Sequence, residues 1–209
     1  AVFYQNDAYG KAGLDGTLLA LASRGLKPVA TGTVERNTVD VAAAVATINA
    51  ANPQAVVQIS AYKSCAAYIR AARKAGFGGS FYNVSFVGTQ ALADELGKEG
   101  AGVVVSQVVP NPFSTAKPIT REFRDAIAQG GNKVQANFSS LEGFLAARLV
   151  AEGLKRSGGK SGREGLIGGL ESIGDTSFDG YSISLSGKDH VASHFVELSM
   201  LTGDGKVRT

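Results

Sequence analysis

Short apolar runs separated by stretches of helical spacing repeat through the first half of the chain. Residues 54–59, with Val56, Val57 and Ile59, are too short and too β-branched for a helix and read as a buried parallel strand. Behind a polar break at 60–63, Tyr68, Ile69, Ala72 and Ala75 recur at helical spacing. Ser64 is placed to cap that helix and Gly76 to stop it. Residues 80–82 restart a strand, which makes the segment a βαβ unit. Upstream lie a strand over 1–4 and a helix with Leu14, Leu18, Leu21 and Ala22 on one face, ending near Arg24 and Gly25. A strand over 28–34 follows, then a helix with Val41, Ala44, Val45, Ile48 and Ala51 on one face, capped by Thr38 or Asp40 and stopped by Asn52 and Pro53. Downstream come a short helix with Leu92 and Leu96 and an apolar strand over 103–105. This alternation predicts an α/β fold built on a doubly wound parallel sheet. Ligands bind beyond the carboxyl ends of the strands in such sheets, so the turns after Tyr4, Ile59 and Tyr82 are where function is expected.

The pattern changes at Pro110. Pro110, Pro112 and Pro118 hold 110–117 as an extended linker. A helix with Ile119, Phe123, Ala126 and Ile127 on one face then runs to Gly130 and Gly131. Ser139 and Glu142 have the spacing of a capping box. The helix behind them carries Leu141, Phe144, Leu145, Ala146, Ala147, Leu149 and Val150, apolar on most sides, as if for burial between two layers. Ser161 and Glu164 form a second capping box, before Leu166, Ile167, Leu170 and Ile173. Tyr181, Ile183 and Leu185 alternate with Ser182, Ser184 and Ser186 as a strand with one wet face, and a last strand spans 195–201. Burying each large side chain of this region stabilises by ~1.5–3 kcal/mol, yet the sequence shows no complete sheet to receive them. Something else is expected to cover it, and uncovered apolar surface favours self-association.

Composition narrows the function classes. The 209 residues with 44% hydrophobic content can bury a full core, and the net charge of +3 is spread over separate helices, with no basic stripe for nucleic acid. No apolar run approaches the ~20 residues of a membrane span. The chain opens in strand-like residues with no leader, so an exported protein would be present here in mature or trimmed form. The single cysteine, Cys65, excludes an intramolecular disulfide and a cysteine zinc site. It falls in the first turn of a helix, where the dipole lowers a thiol pKa, but with no histidine nearby it reads as a small buried residue facing the sheet.

Apparent catalytic motifs fail on context. Ser60 to Lys63 and Ser157 to Lys160 match S-x-x-K, but Ser60 ends a strand and no companion motif exists. Gly159, Lys160 and Ser161 echo the tail of a P-loop whose earlier glycine would fall at Leu154. Gly10, Gly13 and Gly16 miss the dinucleotide spacing. His190 and His194 are not on a helix, Asp94, Glu95 and Glu99 read as a solvated face, and neither metal nor cofactor is expected.

Four stretches carry a resemblance: QNDAYGKAG (5–13), YNVSFVG (82–88), LEGFLAAR (141–148) and FVEL (195–198). In this order they resemble the C-terminal portion of type I periplasmic binding proteins, within the branched-chain amino acid ABC transporter family of extracellular ligand-binding receptors. The resemblance covers nearly the whole chain. It implies two α/β lobes with a ligand clamped between them, of which this chain is the second lobe and the late return into a largely missing first lobe. The implied division is 1–109 and 118–137 for the second lobe, 110–117 for a hinge, and 138–209 for the return segment.

The resemblance implies ligand contacts at matching positions. Tyr9 matches a cleft-facing tyrosine in the first turn of the second lobe, and Tyr62 the aromatic after its third strand. Ser85 stands where amino-acid binders of the family often present a glutamate for the ligand ammonium. A hydroxyl cannot supply that charge-assisted bond, so a small carboxylate or aromatic acid is favoured at least as much as an amino acid. The residues themselves agree, since tyrosine offers a flat apolar face and one hydroxyl to an amphipathic ligand. The implied function is the periplasmic substrate-binding component of an ABC uptake transporter, with a membrane permease as partner. With one wall largely absent, the chain alone is expected to bind poorly or not at all. A cytoplasmic sensor of the same fold is the alternative, and a Rossmann-like enzyme a weaker one for want of a complete catalytic constellation.

Overall fold

The computed structural model describes residues 1–160 and 162–209. Its first half alternates as the pattern predicts: β1 (Val2–Gln5), α1 (Ala8–Ala22), β2 (Thr31–Val34), α2 (Ala42–Ala50), β3 (Ala55–Ile59), α3 (Tyr62–Lys74), β4 (Ser80–Val84), α4 (Thr89–Leu96) and β5 (Val104–Gln107). Then come α5 (Pro118–Gln129), α6 (Phe138–Arg156), α7 (Arg163–Glu171), β6 (Gly174–Phe178), β7 (Tyr181–Leu185), β8 (Glu197–Leu201) and β9 (Val207–Arg208). The chain folds into two compact units, Ala1–Ser106 with Leu198–Thr209, and Gln107–Glu197.

The first unit is organised by a sheet of order β2-β1-β3-β4-β5-β8-β9. Its first five strands pair in parallel, with Val2 opposite Thr31 and Val57, Gln58 opposite Asn83, and Asn83 opposite Val105. β8 and β9 close as an antiparallel pair, so the sheet is mixed. One face carries the core: Phe3, Val56, Phe81, Val105 and Leu201 are buried beneath Ala44, Ile48, Tyr68, Ile69 and Leu92. Tyr68 stacks on Phe3 at 4.3 Å between ring centroids and meets Phe81 edge-on at 6.4 Å.

α1 packs on β1 and β3 through a face that joins the expected Leu14 and Leu21, both half-buried, with glycines the apolar pattern does not mark. Gly10 is its buried residue, whereas Leu18 and Leu19 are exposed. A side chain at Gly10 would run into the backbone carbonyl of Gln5, and one at Gly13 into Ile59. The helix thus lies close to the sheet at its glycines, and close approach of backbone outweighs burial of Leu18.

Three other expectations are corrected. α3 begins at Tyr62 behind Ala61, so Ser64 lies inside its first turn and donates to the carbonyl of Thr38 at 3.0 Å instead of capping. The capping box of α6 is Asn137 with Ser140, each side chain accepting from the other's backbone N–H at 2.9 Å, and not Ser139 with Glu142. The final strand is not stranded without a sheet, because Leu201 N–H donates to Val103 O at 2.8 Å and Ser199 Oγ to Val105 O at 3.1 Å. Ser161, half of the second expected capping box, lies outside the described residues.

In the second unit, α6 and α7 pack together and β6–β7 form an antiparallel hairpin. β7 shows the expected alternation, burying Tyr181, Ile183 and Leu185. The hairpin partner β6 is polar enough (Asp175, Thr176, Ser177) that its strand character escapes the apolar pattern. α6 buries Phe138, Leu141 and Leu145 but leaves Val150 and Leu154 exposed, so it is not enclosed on most sides. Residues 118–137 lie within the second unit.

Candidate functional site

Parallel pairing brings the carboxyl ends of β1 to β4 to one edge of the sheet, where the turns after Gln5, Val34, Ile59 and Val84 emerge side by side. The expected ligand residues lie in three of these turns.

Tyr9 sits in the first turn of α1 and is held from several sides. Asp7 is the N-cap, its Oδ1 accepting from Gly10 N–H at 3.0 Å, while Gln5 Nε2 donates to Asp7 Oδ2 at 2.5 Å. The Gly10 backbone bond, followed by the Gln5 bond, keeps the Asp7 carboxyl below its usual pKa range. The Tyr9 ring lies 4.8 Å from that of Phe86, tilted by 41°. Its hydroxyl is buried without a hydrogen-bond partner, and burial raises its pKa, with smaller contributions from Cys65 and Asp7.

Tyr62 is the first residue of α3, half-buried against the core, with Lys63 Nζ 5.9 Å from its ring centre. α3 has no side-chain cap, and its first turn carries no acidic residue. Just before it, Ser60 is fully buried and its hydroxyl has no partner. Ser85 opens a 3₁₀ turn over Ser85–Val87, its carbonyl accepting from Gly88 N–H at 3.1 Å. Asn6 Nδ2 donates to Glu35 Oε1 at 2.7 Å and ties the turns after β1 and β2 together.

The structure therefore gathers Tyr9, Tyr62 and Ser85 on neighbouring turns of one edge. The contact that joins two of these turns is Tyr9 with Phe86, a residue the sequence reading passed over. Phe86 is 77% exposed. The signal was its place beside the buried Val87 in a turn too short to fold its ring inward. Cys65 is fully buried, and burial raises its thiol pKa, outweighing the opposing effect of its hydrogen bond with the Ser60 backbone.

The edge offers aromatic faces, hydroxyls and an uncapped helix start, which suit a small amphipathic molecule. Among the described residues no group of three or more His, Cys, Asp and Glu could hold a metal. His190 meets Glu171 at 3.0 Å while His194 lies 4.0 Å from Asp189, so the two do not converge. A groove of about 470 Å³ also runs along the β6–β7 hairpin in the second unit, between Lys117, Tyr181, His194 and Phe195. It holds none of the expected residues. The sheet edge is preferred because it combines open turns with oriented strand ends.

Residues 1–206 match the family model for periplasmic binding protein. The chain belongs to the periplasmic binding protein family. Solved structures agree. A "possible leucine/isoleucine/valine-binding protein" from Rhodopirellula baltica is 31% identical, with a TM-score of 0.91 over 100% of this chain and 57% of its own. A substrate-binding periplasmic protein from Ralstonia solanacearum is 30% identical, with a TM-score of 0.89 over 99% of this chain and 59% of its own. An extracellular ligand-binding receptor from Verminephrobacter eiseniae is 26% identical, with a TM-score of 0.80 over 100% of this chain and 60% of its own. The chain thus spans less than two thirds of the length of these relatives. No curated protein matches it. The family is one of solute-binding proteins and not of enzymes, and the first unit has the fold of a type I lobe of that family.

Proposed function

We infer that this chain is part of the substrate-binding component of an ABC uptake transporter, working in the periplasm. Its ligand is a small amino acid or an organic acid, aromatic acids included, held at the carboxyl edge of the first unit's sheet. The observation that carries this reading is the convergence of Tyr9, Tyr62 and Ser85 on adjacent turns at that edge, within a chain of the periplasmic binding protein family. Tyr9 and Tyr62 supply flat apolar walls, and the hydroxyl of Ser85 supplies a polar contact without a fixed charge. Ser85 in place of a carboxylate favours ligands that do not depend on an ammonium group. In the complete protein, hinge bending through 110–117 closes the first lobe over the ligand, and the closed form is what a membrane permease engages.

The test is Tyr62→Ala, titrated with L-leucine and with benzoate. Loss of the aromatic wall weakens binding of whichever probe the unaltered protein takes by ~1–3 kcal/mol. Affinity unchanged by the substitution places Tyr62 outside the site.

A further inference from the structure

We propose that Phe86 sets ligand preference at this edge, selecting molecules that carry an aromatic or similarly flat unsaturated ring over saturated ones of the same size and charge. The proposal rests on the reading of the edge as the ligand site and goes beyond it to the chemistry of the ligand. Phe86 leaves 77% of its surface open to water, yet it is not on a loose loop. The residue after it, Val87, is buried, and Gly88 N–H closes the 3₁₀ turn on Ser85 O. Gly88, at a left-handed φ of 80°, then turns the chain into α4, whose Leu92 N–H donates back to Gly88 O at 2.9 Å. The ring is therefore presented from a backbone fixed on both sides.

Tyr9 backs that ring from the next turn but one, at 4.8 Å, and is itself fixed by the Asp7 cap and the buried Gly10. The two rings, tilted by 41°, join the turns after β1 and β4, with small residues, Ser85 and Gly88, on either flank of the Phe86–Val87 pair. A saturated group on such a surface gains only from area removed from water. An aromatic one gains in addition from offset or edge-to-face stacking on the ring quadrupoles. That extra term corresponds to about two- to tenfold in affinity. A phenylalanine serving the core would turn inward, as Phe81 does on the same strand and turn system.

Benzoate and cyclohexanecarboxylate share charge and carbon skeleton size and differ in ring flatness, so their dissociation constants test the proposal directly. They are measured by amide shift titration on the full-length protein, in which both walls of the cleft are present, with L-leucine as a third probe. The expected result is benzoate about three- to tenfold tighter than cyclohexanecarboxylate. The ratio falls to within about twofold in Phe86→Leu and is retained in Phe86→Tyr. Equal affinities in the unaltered chain, or a preference that survives Phe86→Leu, overturn the role of Phe86. If L-leucine or cyclohexanecarboxylate shifts the turns after β1, β3 and β4 while benzoate has no advantage, the edge is the ligand site and Phe86 is not its selector. If no probe shifts those turns, the reading of the edge falls, and the proposal with it.

Discussion

Tyr9 shows how a single side chain is positioned by its neighbours. The Asp7 cap fixes the start of α1, Gly10 lets the helix approach the sheet, and Phe86 closes on the ring from the next turn but one in the sheet. Tyr9 and Tyr62 are marked by the family resemblance, since a tyrosine just after a strand is otherwise as readily an ordinary half-buried aromatic. The sequence does not mark Phe86, whose apolar neighbours Val84 and Val87 make it look like core. Cys65 was legible as a buried residue, and its chemistry follows from that burial. With a fully buried thiol whose pKa is pushed up, the native protein is expected to resist thiol-specific reagents and to react once unfolded in denaturant. Rapid labelling of the folded protein at neutral pH would place Cys65 at an open surface instead.

Elements were legible where their apolar period was strong and unopposed. β3, α3 and β4 follow the pattern closely, with Tyr68, Ile69 and Ala72 buried as the spacing requires. The pattern is only partly right for α1, where Leu14 and Leu21 are half-buried but Leu18 is exposed and glycines let backbone meet sheet, and it is silent for β6, a polar strand made by its hairpin partner. Caps were the weakest part of the reading, since serine is common near helix starts and only geometry tells which one bonds. Asn137 and Ser140 satisfy two backbone donors at the head of α6. Asn137→Ala is expected to destabilise the protein by about 1 kcal/mol (range ~0.5–2), read as a lower urea midpoint at unchanged m-value. Ser139→Ala, at the position the sequence suggested, is expected to change the midpoint little. The reverse ranking would contradict the capping assignment.

At the scale of the whole chain, the order of elements was readable, but the pairing of distant strands was not. Proline clustering at 110–118 marks the change of pattern close to where the first unit ends, at Ser106. The return of Leu198–Thr209 to the first unit was hidden. A strand's sequence says that it wants a neighbour without saying which, and β8 found its neighbour in β5, far away along the chain. The sheet so completed sets four turns on one edge, and binding at that edge is the central claim. The most direct test is a map of amide shifts over residues 1–209 within the full-length protein on titration with L-leucine and with benzoate. The account predicts changes concentrated at residues 6–10, 60–64 and 85–88. Changes confined to the groove along the β6–β7 hairpin, or none at the sheet edge with either probe, would contradict it.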